Sequence, residues 1–181
     1  MEKKRVAILF SVPKQIQWFP ISILIRFFQF KKSFKPFRFF GLYHSSHVSL
    51  LIDEMVYEAV FWLGVRKIPY GEWEKLNKVK LERVIWIDDI NMKKGIEYLE
   101  KSLGISYAFL ELFGILLNRI MKIFFKKELY GNPFKTVIPK VKCSELAYDF
   151  LIETEELLGL KDTNLVEVCD IEEAIGKKDL Q

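Results

Sequence analysis

Ser46-His47-Val48-Ser49-Leu50-Leu51-Ile52, then Asp53-Glu54, then Met55-Val56-Tyr57-Glu58-Ala59-Val60-Phe61 is the stretch that decides the fold. Two apolar, β-branched-rich runs, 47–52 and 55–61, flank a short polar pair, which is the pattern of a β-hairpin. In the first strand His47, Ser49 and Leu51 share one face, and Val48, Leu50 and Ile52 share the other. A turn centred on Asp53-Glu54 pairs 52 with 55, 49 with 58 and 47 with 60. Glu58 then lies diagonal to His47 on one face, about 7–8 Å away and within reach of a long side chain. A one-residue slip would send Glu58 to the opposite face. Glu58 sits between Tyr57 and Ala59 in an apolar run, where an unpaired carboxylate is costly, so it calls for a partner. Taken singly, His47 also reads as a strand-end histidine bonded to backbone, and Glu58 as a solvated strand carboxylate. His44 reads as a loop residue.

Outward from the hairpin, Val6 to Val12 reads as a strand stopped by Pro13. Residues 15–30 look helical around Pro20, and 31–41 form a basic, aromatic loop. A short helix is expected at 72–77 and a strand from Leu81 to Ile87. Helices follow at 92–103, 106–127 and 143–158, with a break at Tyr130-Gly131-Asn132-Pro133. Val166 to Val168 reads as a last extended piece, and the polar tail from Gly176 as frayed. Strands come early and helices late, which predicts the α+β class.

Composition narrows the function. The 181 residues fit one domain, and half are apolar, enough for a compact core. Twenty-eight basic against 24 acidic side chains give +4, too mild to argue for a nucleic-acid partner. Two cysteines make no disulfide scaffold. Two histidines without a Cys-x-x-Cys argue against a structural zinc site. The apolar run after Met1-Glu2-Lys3-Lys4-Arg5 is short for a signal peptide. Residues 105–125, the best membrane-span candidate, carry Glu111, Asn118, Arg119 and Lys122, each costly in lipid, so a buried or amphipathic helix is expected there. Residues 27–40 hold four Lys or Arg and seven Phe. They read as a lid over the core or as a membrane-surface contact.

Cys143-Ser144-Glu145-Leu146-Ala147-Tyr148-Asp149-Phe150-Leu151 places 146, 147, 150 and 151 on one helical face with Cys143 at its start. A thiol at a helix N-terminus feels the positive end of the macrodipole, which favours thiolate. Lys140 and Lys142 push the same way and Glu145 against. Read alone, Cys143 is equally a small buried core residue. Cys169 reads as a packed thiol.

Ser46-His47-Val48-Ser49-Leu50, Val56-Tyr57-Glu58-Ala59 with Gly64-Val65, and Lys142-Cys143-Ser144-Glu145-Leu146-Ala147-Tyr148 together resemble the circularly permuted papain-like cysteine amidases. These are the YiiX/YaeF-type relatives of the NlpC cell-wall peptidases. The histidine comes first and the cysteine 96 residues later, the order of the permuted branch. The resemblance spans roughly residues 5–155. It implies one permuted papain-like domain over 1–181, a small antiparallel sheet or barrel packed on helices with the cysteine helix C-terminal to it. A Phe/Lys-rich insertion or lid would occupy 14–45 and a helical segment 92–127. It also implies Cys143 as nucleophile, His47 as general base and then acid, Glu58 as the residue orienting His47, and Tyr107 as a substrate-lining residue. Relatives often carry an acidic residue after that tyrosine, where Ala108 stands here.

The activity so implied is cysteine hydrolysis of peptide or isopeptide amides, with bacterial cell-wall stem peptides as the commonest target, and no metal or organic cofactor. Without a clear export signal, the chain is expected to be cytoplasmic until released, or virion-associated as a phage component. Two alternatives stand beside this. Permuted relatives also transfer or hydrolyse lipid acyl groups, which suits the basic, Phe-rich 27–40. A non-catalytic structural or binding protein retaining the fold is the other.

Overall fold

The computed structural model describes residues 5–14, 45–86, 89–127, 134, 140–154, 166 and 168–178. Five strands, β1 (Arg5–Pro13), β2 (His47–Ile52), β3 (Met55–Val60), β4 (Gly64–Pro69) and β5 (Asn77–Trp86), form one sheet in the order β4-β3-β2-β1-β5. Every pairing in it is antiparallel. The helices are α1 (Tyr70–Leu76), α2 (Asp89–Ser102), α3 (Phe109–Phe124), α4 (Cys143–Glu153) and α5 (Val168–Lys178). A short parallel pair joins β6 (Ser106–Tyr107) to β7 (Lys140–Val141). The chain is thus α+β, an antiparallel sheet packed against helices, with α4 following the sheet.

Alternation explains the layers. β1 has both edges paired, by β2 and β5, and is buried on both faces because α4 packs on one and Trp73 of α1 on the other. Val6, Ile8 and Phe10 join Val48 and Leu50 in the main core, against Leu146, Phe150 and Leu151 of α4. Ala7 and Leu9 point the other way and meet Val56 and Trp73. Each such aliphatic or aromatic side chain contributes about 1.5–3 kcal/mol by leaving water.

The hairpin has the expected register: Ile52 pairs with Met55, Leu51 with Val56 and Leu50 with Tyr57. Asp53 and Glu54 both take positive φ, 47° and 64°, as a two-residue turn matching the strand twist requires. Four expectations need correction. β4 was not foreseen, because Arg66 and Lys67 interrupt the apolar run and Gly64 reads as a turn. The following strand begins at Asn77 rather than Leu81, directly off the end of α1. The helix expected at 106–127 is preceded by the two residues of β6. Val168 opens a helix that runs to Lys178, so the tail is ordered past Gly176. Its buried Val168, Ile171 and Ile175 lie at i, i+3 and i+7, a signal that was legible. The expectations for 15–44, including the helix around Pro20, the Phe-rich lid and His44, lie outside the described residues, as do the break at 130–133 and the side chain of Cys169.

Gly64 holds the site's edge in place. Its φ is +71°, and a Cβ there would stand 2.4 Å from the Ile105 carbonyl oxygen. That carbonyl accepts from Val65 N–H at 2.9 Å, while Gly104 N–H donates to Val65 at 2.9 Å. Gly64→Ala is expected to lower stability by roughly 2–4 kcal/mol, combining backbone strain with a clash that only backbone movement relieves. Gly104→Ala, at φ +80° with open space around it, should cost only the strain, about 1–2 kcal/mol. Urea unfolding of the two variants checks the difference.

Candidate active site

His47 is the first residue of β2 and Glu58 sits near the end of β3. The hairpin register sets them diagonal, and the imidazole Nε2 lies 2.7 Å from Glu58 Oε2. Glu58 is only 1% exposed, yet its carboxylate is fully engaged. Trp73 Nε1–H donates to Oε2 at 3.0 Å, and Arg66 donates to Oε1 through Nε at 2.8 Å and Nη2 at 2.6 Å. Burial alone would raise the carboxyl's pKa, but His47 and then Arg66 hold it below the ordinary carboxylate range. Arg66 is directly opposite Glu58 across the β3–β4 pair, and α1 delivers Trp73 from beneath the sheet.

Cys143 opens α4, with Lys142 as the extended residue before it. Glu145 returns to accept from the Lys142 backbone N–H at 3.4 Å, which fixes the chain entry into the helix. Lys142 is itself buried, its Nζ 4.0 Å from Glu111 Oε2 on α3. Burial raises the Glu145 carboxyl, against the pull of Lys142.

The thiol, the imidazole and the carboxylate converge. Cys143 is within hydrogen-bonding reach of the His47 ring, of the Val48 backbone N–H and of the Tyr107 hydroxyl. With Nε2 given to Glu58, Nδ1 is the ring nitrogen left for the thiol. Burial would push the thiol up, but the imidazole, the Val48 N–H and the Tyr107 hydroxyl together bring it below its ordinary value of 9.0. Burial would likewise lower His47, and the thiolate and Glu58 overcome it, pushing the imidazole up to about 10. The two shifts describe one thiolate–imidazolium pair.

The β6–β7 pairing sets Tyr107 opposite Val141, two residues before Cys143. Its hydroxyl meets both the Cys143 sulfur and the Cys143 backbone N–H. Beyond Tyr107 lies a cavity of about 250 Å³ whose walls include Phe61, Trp62, Leu63 and Phe109.

All four sequence-derived residues, Cys143, His47, Glu58 and Tyr107, are thus brought to one place. Sequence reasoning missed Arg66 and Trp73. Reading β4 as a strand would have found Arg66 through its cross-strand position; Trp73, on a seven-residue helix, carried no signal toward Glu58. Among the described residues no cluster of His, Cys, Asp and Glu could hold a metal ion. Among them also, no helix is long and apolar enough to cross a membrane. Comparison with known families, curated proteins and solved structures finds no match for this chain.

Proposed function

We propose that the chain is a cysteine hydrolase of permuted papain-like plan, working through a Cys143–His47–Glu58 triad. The observation that carries the reading is the buried sulfur–imidazole–carboxylate chain, with Glu58 saturated by Arg66 and Trp73 so that it can only hold His47, not replace it as a base. The Cys143 thiolate attacks a carbonyl carbon, and the carbonyl oxygen takes the developing charge. The Cys143 backbone N–H and the Tyr107 hydroxyl, which meet each other and the sulfur in the resting site, turn to that oxyanion once the thiolate has attacked, each such donor worth about 10²–10³ in rate. The tetrahedral adduct collapses to a thioester as the His47 imidazolium gives its proton to the leaving amine or alkoxide. His47 then takes a proton from water, the hydroxide adds to the thioester, and the acid leaves with the thiolate–imidazolium pair restored.

Peptide or isopeptide amides, including cell-wall stem peptides, are the first substrate class. Acyl esters are the second, for which Phe61, Trp62, Leu63 and Phe109 supply apolar walls in the cavity beside Tyr107. The test compares amine released from muropeptides with fatty acid released from phospholipid vesicles. One of the two should be turned over, and Cys143→Ala should reduce that rate by at least about 10³-fold. Turnover that survives Cys143→Ala, or none on either class, overturns the reading in favour of a non-catalytic protein of this fold.

A further inference from the structure

Among the described side chains of helix α3, Glu111 and Gly114 are buried and Asn118 half-buried, and Glu111 meets Lys142 of the body. Leu110, Phe113, Leu117 and Phe124, at i, i+3, i+7 and i+14, are all exposed, Phe124 at 75%. An outward apolar stripe of this length on a surface helix marks a binding face rather than a solvated one. The stripe continues through Phe109 and Phe61 to Trp62, ring against ring at 4.4 and 4.6 Å. Trp62 is 79% exposed and sits at φ 68°, a left-handed backbone that a bulky residue adopts only at a cost.

Charge selects the occupant. Exposed Lys126 and Lys127 crowd the end of the stripe that carries Phe124 and Phe125. Among the described residues the stripe holds no exposed acid, so a two-fold contact of this face with itself sets these two lysines against no acid. Anionic headgroups do, while aromatic side chains settle at the headgroup level and lysines reach outward from it. We propose that the outward face of α3 and the Trp62 turn seat on an anionic lipid bilayer, with the cavity beside Tyr107 opening onto it. The seating stands on this surface alone; the delivery of an acyl chain to Cys143 rests on the thiol-hydrolase reading above.

The test is flotation of the full chain with phosphatidylcholine vesicles, with and without phosphatidylserine. The chain should float with the anionic vesicles and less so as salt rises. Leu117→Ser/Phe124→Ser and Lys126→Glu/Lys127→Glu should each weaken partitioning by at least about tenfold. Alkylation of Cys143 should be unchanged in both, which separates failure of the seating from failure of the chemistry. A chain that stays unbound to either vesicle overturns the proposal. So do variants that float as well as the parent, which would move the binding elsewhere in the chain. Light scattering that shows a vesicle-free dimer, dispersed by the same substitutions, would assign the face to a second copy instead.

Discussion

Glu58→Ala is expected to destabilise the chain by about 3–5 kcal/mol, a large share of a small domain's total stability. The substitution removes one carboxylate but leaves three partners behind. Arg66 keeps a charge without its counter-ion, the fully buried Trp73 keeps an N–H without an acceptor, and His47 loses its orienting contact. An unpaired buried donor costs far more than the bond it formed was worth. Glu58→Gln keeps an acceptor for Arg66 and should cost less. Acid provides the second readout. Glu58 titrates below its ordinary 4.5 in the folded chain, so its contribution is complete above that pH and is lost as pH falls through the folded value. The unfolding free energy of the parent should therefore drop more steeply on acidification below 4.5 than that of Glu58→Gln. Urea unfolding across pH 3–7 checks both, and parallel curves for the two chains would show that the carboxylate contributes nothing special.

How much of this was legible depends on whether the relevant physics is local. The hairpin was, because strand alternation and a two-residue turn leave one register that buries Val48, Leu50 and Ile52 together, and that register brings Glu58 to His47. The start of α4 at Cys143 was legible for the same reason, since 146, 147, 150 and 151 define its buried stripe. The environment of Glu58 was not. Arg66 enters by way of a strand whose charged residues hide its period, and Trp73 by tertiary packing between α1 and the sheet. The exposed apolar stripe of α3 was half visible. Glu111 and Asn118 argued against a membrane span, but only the fold reveals that they point inward and leave the apolar stripe outside. Tyr107 came from resemblance alone; the β6–β7 pair that positions it is two residues long and leaves no pattern.

His47→Ala carries the other large effect. In the parent, thiol and imidazole exchange a proton within the site: the folded pair binds as many protons as two neutral groups would, but in charge-separated form. That form persists from the lowered value of Cys143 up to about 10, where His47 loses its proton. Removing the imidazole deletes the main influence that lowers the thiol. Burial, which raises it, is then opposed only by the Val48 N–H and the Tyr107 hydroxyl, so Cys143 should titrate higher than in the parent. At pH 7 the thiolate fraction then falls, partly offset because a more basic thiolate is a better nucleophile. The net expectation is a 10–100-fold slower alkylation of Cys143 at that pH. Access to Cys143, a residue 5% exposed in the parent, is not expected to decrease when the imidazole is removed.

The decisive measurement is therefore the rate of iodoacetamide labelling at Cys143, resolved from Cys169 by peptide mass spectrometry, from pH 5 to 10 in the parent and in His47→Ala. A paired thiolate gives fast labelling that is already level well below pH 9 in the parent, and a late-rising, 10–100-fold slower curve in the variant. Superimposed curves, both rising only near pH 9, would show that the sulfur and the ring do not share a proton, and no hydrolytic role for this site would stand.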